Sequence, residues 1–241
     1  MRALLCSLVM ISSSALAEGD ELEAGRTVLG AMTGQEPVQA SAAVSRWERV
    51  TGEKPPQEAS AGAVFFLSAT KTSVNVSCNQ SQLTPKPAKK NDGPPDVLGN
   101  IVASVDLPQT SRWLNHAAPL LHQLENAEVL ENKQTTLDKR PARRLTLKLK
   151  TEKQSESGAE ATIERTLTLW VDAEHVPLAS QSEANTSGGF LVVRFENHQK
   201  AERKFVKAGD RLMTIEETQS DSTSSMGHVF QNKQTVKLTV K

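Results

Sequence analysis

The sequence predicts an α+β fold that is mainly antiparallel β. The expected form is a curved meander sheet, an incomplete barrel, packed on one amphipathic helix, with short N-terminal helices. Three observations carry this. From Glu128 onward, apolar and polar residues alternate between short polar turns, as in Arg144 to Lys150 and Thr166 to Val171. No helical stretch separates those strands, so neighbours join as antiparallel hairpins and not as parallel crossovers. Ahead of them, Trp113, Ala117, Leu120, Leu121 and Leu124 fall at i, i+4, i+7, i+8 and i+11, one face of a helix. A twisted sheet with one apolar face buries that face against such a helix.

Residues 1–17 read as a targeting segment. Arg2 is followed by an apolar run from Ala3 to Ile11 and by the small tripeptide Ala15, Leu16, Ala17. That is the order of a secretory signal peptide cut before Glu18. The run is too short for a bilayer core of about 30 Å. The Ala-x-Ala cut points to a bacterial, periplasmic destination.

Residues 18–59 read as an N-terminal helical segment. Leu22, Val28, Leu29 and Met32 mark a first helix. Pro37 suits the first turn of a second, carrying Val44, Trp47 and Val50, and Gly52, Pro55 and Pro56 stop it. Residues 60–241 read as the β domain. Ala63 to Leu67 and Ser73 to Ser77 are strands, 83–96 is a flexible loop, and Ile101 to Leu107 is a further strand. The inserted helix runs from near His116 to near Asn126, with Pro119 tolerated in its first turn. The remaining text predicts a turn at Ser155 to Glu160 and another at His175 to Pro177. A strand Leu178 to Glu183, a strong turn Asn185 to Gly189 and a strand Phe190 to Phe195 follow. Strands at Arg203 to Val206 and Leu212 to Glu216, a Ser-rich loop at 220–227 and a strand His228 to Val240 complete it.

Composition narrows the function classes. The chain has 241 residues, with 28 basic and 28 acidic side chains and a formal charge of zero. Such a balance exerts no global pull on nucleic acid or on an anionic membrane. Hydrophobic residues make up 37% and aromatics 4%, with no Tyr. Against a usual apolar share of about 45–50%, this predicts a thin core. Of two cysteines, Cys6 leaves with the signal peptide, so Cys78 has no internal disulfide partner and reads as a structural thiol. No later apolar run is long enough for a transmembrane segment.

No motif commits to a catalytic chemistry. Ser68 and Lys71 match S-x-x-K, but they follow a strand, and the S-D-N and K-T-G partners are missing, so they read as a polar turn. His116 and His122 stand six apart and diverge by about 120° around a helix. They read, with His175, His198 and His228, as solvated or turn residues, with no metal site. Glu216 and Glu217 read as a solvated pair, and the basic clusters at Lys86 to Lys90 and Lys139 to Arg144 as solvated runs. The sequence calls for no catalytic residues, no metal and no cofactor. Trp170 faces opposite to the Leu167, Leu169, Val171 row, so it either covers an edge or marks a second apolar face.

Leu167, Thr168, Leu169, Trp170, Val171 and Asp172, then Val176, Pro177, Leu178 and a strand, form a W-x-D, turn, Pro, strand phrase. This resembles the LolA-like periplasmic lipoprotein carriers, the LppX-like mycobacterial lipoproteins and the RseB-type sensors. The stretch from Leu120 and Leu121 to Asp138, Lys139, Arg140, Pro141 and Ala142 is similar to their helix, strand and G-x-P-A-like turn, with Lys139 or Arg140 in place of Gly. The resemblance covers roughly residues 60–241. It implies an incomplete barrel whose hollow takes acyl chains.

Two functions follow as expectations. The first is a non-enzymatic periplasmic carrier of a lipid or lipoprotein-like apolar ligand. Its walls would be Leu120, Leu121 and Leu124 on the helix with Leu145, Leu147, Leu149, Leu167, Leu169 and Val171 on the sheet, each buried methylene contributing about 0.8 kcal/mol. The second is a structural or interaction module of the cell envelope, in which the same residues close into a filled core and the partner is another envelope protein.

Overall fold

A computed structural model describes residues 18–52, 56–78, 96–156, 159–190 and 193–241 of the chain. Residues 1–17, expected as a signal peptide, and nearly all of the loop expected at 83–96 lie outside these residues.

Among the described residues, eleven strands form one antiparallel sheet. They are β1 (Val38–Thr51), β2 (Gln57–Ala69), β3 (Val74–Cys78), β4 (Glu128–Leu137), β5 (Arg140–Lys148), β6 (Glu152–Glu156), β7 (Ala159–Val171), β8 (Pro177–Phe190), β9 (Val193–Ala208), β10 (Arg211–Ser225) and β11 (His228–Val240). Their order is β3-β2-β1-β11-β10-β9-β8-β7-β5-β4, with β6 also on β7, and the sheet does not close. Long β7 is shared: Glu152–Glu156 pair its first half and Arg143–Lys148 its second. Nearly every pairing is a hairpin between sequence neighbours. The exceptions are β5 with β7, which β6 separates in sequence, and β1 with β11, which brings the last strand beside the first, from Ala40↔Val240 to Thr51↔Val229.

Among the described residues, four helices lie on one face of the sheet, where one packing helix besides the N-terminal ones was expected: α1 (Glu18–Gly30), α2 (Val97–Ser104), α3 (Leu107–Leu114) and α4 (Ala117–Leu124). Asp96 caps α2 through Gly99 N–H, and Asp106 caps α3 through Gln109 N–H, with Pro108 in the first turn. The helical run expected through Trp113 and Leu124 is broken at Asn115–His116. Trp113 therefore belongs to α3, and Pro119 sits in the first turn of α4.

The core has two halves. Under α2 and α3, Ala40, Ala42, Val44, Phe65, Leu67, Ile101, Trp113, Leu114, Val236 and Leu238 pack together. Under α1 and α4 lie Leu22, Leu29, Met32, Leu120, Leu124, Leu145, Leu147, Leu167, Leu169, Val171 and Phe205. The halves meet at the start of β10, where both faces are buried: Leu212 enters the second and Met213 the first. β11 pairs with β10 only from Glu216 onward, past a register shift between Thr214 and Glu216. The free edge at Leu212 is covered by the α3–α4 junction: His116 N–H donates to the Leu212 carbonyl at 2.7 Å, and Leu212 N–H to Asn115 Oδ1 at 3.1 Å.

The α1–β1 link closes the same end. Asp210, in the β9–β10 turn, accepts from Thr33 Oγ1, Gln35 N–H and Glu36 N–H at 2.6–3.1 Å, with Gln35 first among the donors that hold its carboxyl below the usual range. Gly34 N–H donates to the Asp210 carbonyl. Gly34 has φ +70°, and a Cβ there would stand 2.5 Å from Asn115 Nδ2. That amide also bonds the Met32 carbonyl, so it cannot simply swing away. Gly34→Ala is expected to lower stability by about 1–3 kcal/mol. A denaturant midpoint equal to the parent's would contradict this account.

Several sequence expectations change. Residues 38–51, expected as a second helix, are β1, flanked along its whole length by β2 and β11. Two-sided pairing outweighs the modest helix preference of an Ala-rich stretch. The segment 18–59 is therefore not a helical unit apart from the sheet. Ile101 to Leu107, expected as a strand, carries the end of α2 and the start of α3, because Asp96 and Asp106 nucleate helices whose Val97 and Ile101 face the sheet. Asn185 to Gly189 is not a turn but the last part of β8, paired on both sides. Most of the Ser-rich 220–227 stretch is β10, and only Met226 and Gly227 turn. Leu191 and Val192 lie outside the described residues.

Candidate functional site

The helix-bearing face of the sheet holds an apolar layer, a polar seam and an open cleft, in that order along the strands. The nine residues singled out from sequence come together in the apolar layer. Leu145, Leu147, Leu167, Leu169 and Val171 point from β5 and β7 at α4, whose Leu120 and Leu124 meet them, and Leu121 and Leu149 pack at the margin. Seven of the nine are at most 2% exposed. α1 lies over the same layer through Leu22 and Leu29, and Met32 joins it just past the helix end.

α1 is fastened by polar contacts near both ends. Glu21, itself 2% exposed, meets Arg143 Nη1 at 2.7 Å and His175 Nδ1 at 3.0 Å. Arg26 donates to the carbonyls of Leu124 and Glu125 at the end of α4. Beside Glu21, Arg143 and His175 is a cavity of about 390 Å³ that Gln134, Thr135 and Asp172 also line. Asp172, the acid of the W-x-D phrase, is a turn residue. Its Oδ1 accepts from Glu174 and Val176 N–H, and its own N–H donates to the Val176 carbonyl. His175 there has φ +60°. Asp172→Ala removes both side-chain bonds and is expected to cost about 1–2 kcal/mol, read as a shift in the urea midpoint.

The seam follows the apolar layer. Glu48 on β1 is 1% exposed and accepts from Arg46 Nε at 2.5 Å and from Asn100 Nδ2 of α2. Gln234 on β11 accepts from Arg46 Nη1 and Ser104 Oγ. Glu217 on β10 is 2% exposed. It accepts from Arg203 Nε at 2.6 Å, Gln219 Nε2 at 2.7 Å, Gln109 Nε2 at 3.1 Å and Trp113 Nε1 at 3.3 Å. Two buried carboxylates thus hold α2 and α3 to the sheet. Sequence reading placed Glu217 in solvent. Alternation shows which residues share a face, and it takes the packed helices to show that this one is covered.

His116 also departs from the solvated reading. It is buried against Phe205, ring centroids 5.2 Å apart, and its Nδ1 has no hydrogen-bond partner. Burial first, and then the Arg203 charge, push its pKa down to about 3, so it is neutral. Cys78 is half-buried at the end of β3 against the first core half, as a structural thiol. Among the described residues, no group of three or more His, Cys, Asp or Glu is arranged to hold a metal ion. No described helix is long and apolar enough to cross a membrane.

Beyond the seam the strands run on past α2 and α3, and Gln123 of α4 reaches the opening there. A cleft of about 430 Å³ lies there, with Arg46 (β1), Asn232 (β11), Gln219 and Asp221 (β10), Gln199 (β9) and Arg165 (β7) among its lining. β1 and β7 are five strand spacings apart, about 24 Å on a flat sheet. One small cleft touches both because the sheet curls toward this face. On the opposite face, Trp170 and Leu137 line a cavity of about 210 Å³. The β4–β5 turn is tied beside it through Asp138 to Lys204 at 3.2 Å. Trp170 thus lies under a folded-over hairpin end.

No known protein-family model matches the chain, and no curated protein matches it by sequence.

Proposed function

We propose that the protein is an exported, non-enzymatic carrier or binding protein of the bacterial periplasm, resembling the LolA-like carriers. Its apolar ligand, an acyl chain of a lipid or lipoprotein, would enter between the helical layer and the β5–β7 face. The observation that carries this reading is the arrangement over the nine-residue row. The row is continuous and apolar, and what covers it includes α1, a helix held by the buried Leu22 and Leu29 and by polar contacts of Glu21 with Arg143 and His175 that water can replace. An acyl chain that displaced α1 would bury comparable apolar area, so the exchange is near balance. The curled, unclosed sheet with helices on one face is the architecture such a carrier uses.

A second reading has its own support. Seven of the nine row residues are already fully packed. A filled core of that kind serves an interaction module that binds another envelope protein.

Native mass spectrometry of protein purified from its own exporting cell separates the two. A co-purifying acyl adduct, with uptake of a fluorescent fatty acid by the stripped protein, is the expected result. A clean apo mass with no uptake would remove the carrier reading and leave the module.

A further inference from the structure

We propose that the open cleft beyond the seam is a binding site for an uncharged, hydroxyl-rich ligand, a neutral saccharide. The site is separate from the apolar row and does not depend on that row opening.

Charge comes first. The three arginines of the cleft are already matched: Arg46 with Glu48, Arg203 with Glu217, and Arg165 with Glu152. Lys200, also in the lining, meets Glu202 at 2.7 Å. Asp221 adds a negative charge on the floor. A phosphate or carboxylate therefore meets no excess of positive charge and faces an acid.

Hydrogen-bond direction points the same way. Gln199 Nε2 donates to Asp221, and Gln219 Nε2 donates to Glu217. Each amide thus turns its donor toward a carboxylate, which leaves its Oε1 as an acceptor. Arg46 and Arg203 spend their Nε–H on Glu48 and Glu217 and an Nη1–H on Gln234 and Ser182, and the other N–H groups of these two cleft-lining guanidinium groups remain as donors. Donors and acceptors are interleaved. An anion uses donors only, whereas a hydroxyl donates once and accepts twice, so a polyol matches the pattern. The lining is nearly all polar, with Ala184 and Ala201 its only apolar side chains, so it offers no pocket for the apolar side chains of a peptide. The floor is the face of a sheet and not its edge, so no strand can be added there.

The test is an array of neutral, uronate-bearing and sulfated oligosaccharides probed with the purified protein. Isothermal titration of the best-bound saccharide then compares the parent with Gln199→Ala and Asp221→Asn. The expected result is binding confined to neutral saccharides. Gln199→Ala should weaken it about five- to tenfold, the loss of one hydrogen bond. Gln199 is exposed, so its thermal midpoint should stay at the parent's. Asp221→Asn removes the acid of the floor and should relax the exclusion of anionic saccharides. The proposal is overturned if no saccharide binds, if anionic ones are preferred by the parent, or if both variants bind like the parent. Free saccharides carry no acyl chain, so this result is independent of the fatty-acid uptake above.

Discussion

Replacing Glu217 by alanine is expected to cost about 3–5 kcal/mol of stability, the usual penalty for removing one partner of a buried ion pair. The carboxylate is 2% exposed and receives four donors. Its removal leaves the Arg203 guanidinium, 14% exposed at its side chain, without its counter-charge. It also strands the Trp113 indole N–H in a site closed to water. Two of the four donors come from α3, so the loss falls on the attachment of the helical layer. Glu217→Gln retains an acceptor for Gln109 and Trp113 and should cost less than alanine. Arg203→Met with Glu217→Leu removes both charges and should recover the part of the loss due to the unpaired guanidinium, while Trp113 Nε1 and Gln109 Nε2 still lack their acceptor. Urea unfolding of the three variants reads these differences directly. An alanine variant within 1 kcal/mol of the parent would mean that the seam does not hold the helices.

Acidification is expected to destabilise the protein through His116. Its folded pKa is about 3, against 6.5 for an imidazole in water. Between those values the unfolded chain binds a proton that the folded chain does not, so stability rises with pH across this window. It is fully present above about 6.5 and is lost as pH falls. The slope is about 1.4 kcal/mol per pH unit, which by pH 5 amounts to about 2 kcal/mol. The cause is desolvation first: the imidazole is packed on Phe205 with its Nδ1 unpartnered, so the protonated ring has nothing to replace water. Arg203 adds repulsion. His116→Gln should flatten the stability curve between pH 6.5 and 4 while leaving contributions from exposed carboxylates in place. Parallel curves for parent and variant would show that another group drives the acid response.

The antiparallel meander was legible in the sequence wherever a strand has one dry face. Leu145, Leu147, Leu167 and Leu169 alternate because each contacts the second core half, and the same period placed α4 opposite them. The strand character of 185–189 and 220–225 was illegible for the complementary reason. These are the ends of β8 and β10 beyond the helices. Asp221 faces the cleft, and neither face of the strand there packs into a dry core. Without an apolar side there is no two-residue hydrophobic period, and Ser, Asn and Gly read as turns.

By itself the sequence determined the antiparallel character of the sheet, the nine-residue apolar row and the balance of charge, because each follows from local spacing or counting. Tertiary structure alone decided that 38–51 is a central strand, that Glu48 and Glu217 are buried acids, and that His116 is a neutral core residue. Those outcomes depend on partners far along the chain: β11 beside β1, α2 and α3 over the seam, and Phe205 against the imidazole. Burial and pairing are properties of two distant segments together, and the periodicity of either one does not contain them.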